Sequence, residues 1–387
     1  MKKNLPFILI LVLLSLIYND VKAEINSTIL WERGTGEYNN YRIPAIVVTT
    51  KGTLLAFCEG REAGDTGDID LLLKRSEDNG LTWSKEQIIW DDMDNTCGNP
   101  CPVVDEVTGR IWLFTSWNNG KDGEKAIINK TSISPRLPYV CYSDDDGKTW
   151  SVPESLDKTC RDSSWGWYAT GPGVGIQVKN GEYKGRLVIP ANHSYDDPDG
   201  NIANGPYGYG AHVIYSDDNG KTWQMSESIK PGCNESQVTE LSDGTLLMNM
   251  RSYNSKQARA VSYSKDGGAT WSDIEHDYQL VESVCQASIL NLGDVQGNPV
   301  HLFLNPAVPH GRDHLTLKVS SNDCQTWSNG KLVWEGPAAY SCMVKLANGK
   351  IGLFVEVGEK RPYEKMLFVS FDWKDIFTLG AILHELQ

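Results

Sequence analysis

The 387-residue chain has no apolar run long enough to cross a bilayer as a helix. Its longest, Leu5 to Ile17, is about 13 residues, where a span needs roughly 20. A phosphate-binding glycine loop and a dinucleotide fingerprint are absent. The seven histidines, His193, His212, His276, His301, His310, His314 and His384, show no metal-ligand spacing. No cofactor and no metal are therefore expected. Basic residues are in the minority, 36 Lys and Arg against 50 Asp and Glu, giving a formal charge of −14. A surface that acidic repels nucleic acid and anionic membranes. An amphipathic helical period is missing everywhere except near the C-terminus. With 40% hydrophobic and 22% charged residues, the composition is that of a globular protein, neither disordered nor fibrous.

At the N-terminus, Lys2 and Lys3, the apolar run, polar Asn19 and Asp20 and small Ala23 form the three regions of a signal peptide. Cleavage near Ala23 is expected, with export to the periplasm or the extracellular space. The mature chain, residues 24–387, carries −16 because Lys2, Lys3, Lys22 and Asp20 leave with the leader. Export permits disulfides, but the nine cysteines are odd in number, so one stays unpaired unless it bonds another chain. Cys97 and Cys101 are spaced C-x3-C with no second pair or nearby histidine, which fits a local disulfide or buried thiols better than zinc.

A repeat organises the remainder. The string S-x-D-x-G-x-T-W occurs at Ser76 to Trp83, Ser143 to Trp150, Ser216 to Trp223 and Ser264 to Trp271; a degenerate fifth copy, Ser320 to Trp327, has Asn322 and Cys324 at the Asp and Gly places. This is turn chemistry: Asp accepts from following amides, Gly permits positive φ and Trp plugs the turn onto a core. Strand-like stretches lie between the copies at residues 42–49, 52–58, 111–116, 186–190, 244–251, 300–304 and 350–356. A unit recurring every 48 to 73 residues matches the four-stranded blade of a propeller. The expected fold is all-β, a six-bladed β-propeller of four-stranded antiparallel blades, in a single domain over residues 24–387. The Gly- and Asn-rich stretch from Tyr195 to Gly210 reads as a long surface loop.

Tyr41-Arg42-Ile43-Pro44, followed by these boxes, resembles the exo-acting, retaining sialidases of bacteria and animals, over essentially the whole mature chain. The resemblance implies the six blades and three arginines around a sialic acid carboxylate: Arg42, Arg251 in Met-Asn-Met-Arg-Ser-Tyr and Arg312 in His-Gly-Arg-Asp. A guanidinium fork suits a carboxylate bidentately. It also implies Tyr340 as nucleophile with Glu235 taking its proton. A sugar already carrying a carboxylate at its reacting carbon repels an anionic nucleophile, which favours a phenol; sialidases are a recorded tyrosine-using exception to the two-carboxylate pattern. The acid/base matches Asp65, within Arg61 to Asp70, with Asp68 as its rival and Asp70 as a strand residue. Arg61 falls in the family's pocket for the sugar 4-position, Asn99 and Pro100 on the N-acyl side, and Glu356 where the first arginine is oriented. Trp165, Trp167 and Tyr168 either stack on sugar or belong to the core. The expected substrate is a sialylated glycan and the expected assembly a monomer. Transfer of the sialyl group to another sugar or onto itself would use the same site. A non-catalytic glycan-binding propeller would have lost part of this set, which is intact.

Overall fold

A computed structural model describes residues 25–377; the leader expected over residues 1–23 and the end of the chain lie outside the described residues. The protein is all-β. Its strands are β1 (Asn26–Glu32), β2 (Asn40–Val48), β3 (Leu54–Arg61), β4 (Ile69–Ser76), β5 (Gln87–Trp90), β6 (Thr96–Val104), β7 (Ile111–Asn118) and β8 (Leu137–Ser143). Then come β9 (Glu154–Ser155), β10 (Tyr168–Thr170), β11 (Ile176–Gln177), β12 (Leu187–Asp196), β13 (Tyr207–Ser216), β14 (Gln224–Met225), β15 (Cys233–Glu240) and β16 (Leu246–Ser252). The last eight are β17 (Ala258–Ser264), β18 (Glu275–Val281), β19 (Ser288–Val295), β20 (Asn298–Pro306), β21 (Asp313–Ser320), β22 (Lys331–Lys345), β23 (Ile351–Val357) and β24 (Lys365–Phe371). The one helix in the site region, α1, spans Glu124–Ile128.

Hydrogen bonding groups the strands into four sheets. The antiparallel run β2-β3-β4-β5 touches the run β6-β7-β8-β9 through a single parallel bridge, Ile69 to Thr96. β12 pairs with β10, β11 and β13, and β13 with β14; β15 to β18 form a sheet of their own. In the seven-stranded sheet β19-β20-β21-β22-β23-β24-β1, the long β22 serves two neighbours. Its first half pairs with β21, Lys331 opposite Leu317, and its second half with β23, Lys345 opposite Ile351. β2 lies against β6 and β22, β6 against β10 and β11, β12 against β15, β15 against β19, and β19 against β22.

The stretch from Tyr195 to Gly210 is not one long loop. The β12–β13 ladder continues through Tyr195 opposite Gly208 to Asp196 opposite Tyr207, leaving only the tip as loop. Its glycines serve close approach: a Cβ on Gly208 would meet the Tyr195 ring at 2.7 Å, and one on Gly210 the His193 ring at 2.8 Å. All nine cysteines are free and buried, so Cys97 and Cys101 act as small core residues.

The repeated boxes end β4, β8, β13, β17 and β21, and each folds alike. In the first, Ser76 Oγ accepts from the Gly80 amide at 2.8 Å, and Asp78 accepts from the Thr82 amide at 2.9 Å and the Thr82 hydroxyl at 2.5 Å. The fifth copy keeps the scheme, with Asn322 accepting from the Thr326 amide at 3.0 Å and donating to its hydroxyl at 2.9 Å. The tryptophans lock one antiparallel run of strands to the next: Trp83 meets Phe368 of β24, Trp150 meets Phe57 of β3, and Trp223 meets Trp112 and Phe114 of β7.

The box glycines are doubly constrained. Gly220 has φ +84°, and a Cβ there would meet the Trp112 ring at 2.3 Å; Gly34 has φ +73° but nothing near. Gly34→Ala should therefore cost about 1 kcal/mol, the left-handed backbone penalty alone. Gly220→Ala should cost roughly 3 kcal/mol or more once the overpacking is added. Urea midpoints of the two variants against the parent protein measure the difference.

Candidate active site

Four strands carry the same irregularity at the same place. Between Arg42 and Ala45 of β2, Gly98 and Cys101 of β6, Cys233 and Ser236 of β15, and Ala338 and Ser341 of β22, one strand advances three residues while its partner advances two. Each is a bulge of one extra residue, which unpairs an amide and re-aims a side chain. The bulged residues are Ile43-Pro44, Asn99-Pro100, Asn234-Glu235 and Ala339-Tyr340. Two take left-handed backbone, Ile43 at φ 65° and Asn99 at φ 55°. For β-branched Ile43 that is strain, held by its surroundings.

Buried glutamates take up the amides that the bulges release. Glu356 of β23, fully buried, accepts from the Ile43 amide at 2.8 Å, the Tyr340 amide at 3.1 Å and Arg42 Nε at 2.7 Å. Glu59 of β3 accepts from the Asn99 amide at 2.6 Å and Arg61 Nε at 2.7 Å. Both glutamates thus tie an arginine to a bulge.

Above this layer the expected residues converge. Tyr340 Oη donates to Glu235 Oε1 at 2.5 Å, and Arg251 Nη1 donates to Glu235 Oε2 at 2.7 Å and to Tyr340 Oη at 3.1 Å. The guanidinium carbons of Arg42 and Arg312 stand 5.1 and 5.5 Å from the Tyr340 ring centroid. Burial and the Glu235 carboxylate push the Tyr340 phenol well above its usual pKa, while Arg251 and Arg312 pull the other way. In Arg42, burial opposes the charge, but Glu356 outweighs it and the pKa rises. Arg312 has no carboxylate within ion-pair distance among the described residues; its Nη1 donates to Tyr363 Oη at 2.6 Å.

Asp65 projects from the β3–β4 loop with its side chain 84% exposed. Arg61 Nη1 donates to it at 2.5 Å and Arg42 Nη1 stands 3.7 Å away. Desolvation by the groups crowded around it works to raise its pKa, but these two cations overcome that and hold it below the ordinary carboxyl value. Asp68 has no such neighbours: burial and the charges of Asp91, Glu62 and Asp94 raise it. Asp70 is a buried strand residue accepting from Tyr38 Oη at 2.6 Å, its pKa raised to about 6 by burial. The structure thus brings Asp65, Tyr340, Glu235, Arg42, Arg61, Arg251, Arg312, Glu356 and Asn99 to one end of the strands. Trp165 and Tyr168 belong to the core, Trp165 stacked on His193 at 3.4 Å between ring centroids, whereas Trp167 covers Arg136.

Sequence reasoning missed Glu59, Arg136 and Tyr363. Tyr363, under the Arg42 guanidinium at 3.9 Å, sits on a loop with no pattern to betray it. Glu59 carried a signal, since it lies two residues before Arg61 in a strand and so on the same face. Pro44 and Pro100 were another, because proline cannot donate to a ladder and marks a bulge. Among the described residues no cluster of His, Cys, Asp and Glu is placed to hold a metal ion, and no helix is long and apolar enough to cross a membrane.

Residues 52–353 match the family model of a BNR repeat-like domain. A sialidase of Bacteroides fragilis is 32% identical over 371 residues, 89% of this chain and 64% of that protein, so the chain spans less than two thirds of this relative. An exo-alpha-sialidase of Arthroderma benhamiae is 31% identical, over 82% of this chain and 78% of its own length. Among solved structures, the Hadza microbial sialidase Hz136 superposes with a TM-score of 0.75 at 31% identity, covering 88% of this chain and 67% of that one. The chain belongs to the exo-α-sialidase family.

Glu356 accepts three donors while fully buried. Glu356→Gln turns one acceptor oxygen into a donor facing donors, and should cost roughly 3 kcal/mol of stability. Denaturant unfolding checks this.

Proposed function

We propose that this protein is a retaining exo-α-sialidase that hydrolyses terminal sialic acid from glycans through a sialyl-tyrosine intermediate. The observation that carries the reading is the Tyr340–Glu235 hydrogen bond, set among three guanidiniums of which Arg312 lacks a carboxylate partner. An anionic substituent between Arg42, Arg251 and Arg312 completes that set and presents the adjoining carbon to Tyr340. Asp65 gives its proton to the departing glycosidic oxygen as Tyr340 Oη bonds to the anomeric carbon and passes its own proton to Glu235. Water then attacks the same carbon, Asp65 removes its proton, and Tyr340 leaves, recovering a proton from Glu235. Two inversions at one carbon retain configuration.

The same proposal includes the scaffold and its address. The strand pairings divide into six groups of four: β2 to β5, β6 to β9, β10 or β11 with β12 to β14, β15 to β18, β19 to β21 with the first half of β22, and its second half with β23, β24 and β1. Together with the circuit of packing among the first strands, this supports a single six-bladed propeller domain. The leader sequence supports export.

Purified mature protein should release sialic acid from a fluorogenic α-ketoside, with the α-anomer appearing first by proton NMR. Tyr340→Phe should lower kcat at least about 10³-fold, as loss of a covalent nucleophile does. A first-formed β-anomer would overturn the retaining mechanism, and an anhydro or transferred product would replace hydrolysis by transfer.

The charge around Asp65 gives a pH prediction. Because Arg61 and Arg42 hold its pKa down, the protonated acid is populated only at low pH, so kcat/KM should fall as pH rises toward neutral. On an alkyl sialoside, whose departing oxygen needs a proton, Asp65→Ala should lose that fall along with most of the rate. Asp68→Ala should keep it.

A further inference from the structure

We propose that Arg136 is a positioning residue that fixes which way round the Asn99 side-chain amide faces, making the pocket beside Arg61 a hydrogen-bond donor toward substrate. The inference rests on the sialidase reading above and concerns how that site selects what it binds.

Arg136 is 3% exposed and has no carboxylate within ion-pair distance among the described residues. Its Nη2 donates to Asn99 Oδ1 at 2.6 Å, its Nη1 donates to Asn118 Oδ1, its Nε is buried without a partner, and the Trp167 ring covers it at 4.7 Å. Gly98 makes this approach possible, because a Cβ there would meet Glu59 Oε1 at 2.5 Å and Arg136 Nη2 at 3.1 Å.

The two ends of an asparagine amide have nearly the same shape, so only the hydrogen-bond network decides their orientation. A guanidinium offers donors and no acceptor, so Oδ1 must face Arg136. The other polar groups of Asn99 are also committed: the amide N–H to Glu59, and the carbonyl to Thr170 Oγ1 at 2.6 Å. Among the described residues Nδ2 alone has no protein partner, and it is not among the buried unpartnered atoms. The Asn99 backbone is held by the same Glu59 carboxylate that holds Arg61. A substrate group placed between Arg61 and Asn99 would therefore meet N–H groups from both residues and no free acceptor from Asn99. The substrate group the pocket takes must present a lone pair, and the ring 4-hydroxyl and the N-acyl carbonyl are the two sources of that chemistry.

The test uses three aryl α-ketosides: the parent N-acyl sugar, its 4-deoxy analogue, and the analogue with a 5-hydroxyl in place of the N-acyl group. The wild type should favour the parent over one analogue by about 10-fold in kcat/KM, the worth of one such bond; which analogue suffers identifies the oxygen. That preference should collapse in Asn99→Ala and in Arg136→Met, chiefly through KM, and the double variant should be no worse than Asn99→Ala alone. Arg136→Lys, which restores one donor, should recover part of it. Equal losses on all three substrates, additive with Asn99→Ala, would make Arg136 merely structural and overturn the proposal. If thermal unfolding shows that Arg136→Met does not fold, Asn99→Ala decides, and an unchanged preference overturns it. A folded wild type that hydrolyses none of the three refutes the sialidase reading instead.

Discussion

A carboxylate that water cannot reach holds the site together. Glu356 binds the amides of two bulges and the guanidinium of Arg42, and in doing so it joins residues 42 and 43 near the start of the chain to residue 340 near its end. A bulge on its own leaves an amide without a partner, which is costly in a dry interior. A buried carboxylate on its own is costlier still. Each cancels the other's cost, and the arginine is immobilised as a result. Glu59 repeats the arrangement for Asn99 and Arg61, so the strained backbone and the ordered cations share one cause.

This coupling explains why the polar layer is so fixed in form. Arg42 is pinned through Nε to Glu356, with its Nη1 standing 3.7 Å from Asp65. Arg251 is pinned by Glu235, and that carboxylate in turn holds the Tyr340 phenol. Among the described residues Arg312 donates to a neutral tyrosine hydroxyl and to no carboxylate. The positive charge is therefore compensated unevenly, and the shortfall lies where a substrate anion would sit. Preorganised charge of this kind needs no rearrangement when the ligand arrives.

Much of this was legible in the sequence, and the reasons differ by residue. The boxes could be read because a turn must satisfy its own amides locally, so Ser, Asp, Gly and Thr recur at fixed offsets; Asn322 replaces Asp in the fifth copy, keeping the bond to the threonine amide and reversing the one to its hydroxyl. The strands were found but trimmed, as at residues 186–190, where β12 continues to Asp196 because glycines let aromatic rings lie across the ladder. Arg42, Tyr340 and Glu235 were found through motifs. Glu59, Arg136 and Tyr363 escaped because their roles depend on partners brought near only by folding. Arg136 acts on Asn99 across 37 positions and Tyr363 on Arg312 across 51.

The seating of β1 has a kinetic consequence. Asn26 pairs with Ser370, so among the described strands the first finds its partner only in the last, β24. Until that pair forms, β24 presents an open edge, and β1 must close a long tether, whose closure entropy is high though slow to grow with length. A second molecule's β1 fits that edge in the same register. Refolding is therefore a contest between self-pairing and strand exchange, with dilution favouring the first and crowding of unfolded chains the second.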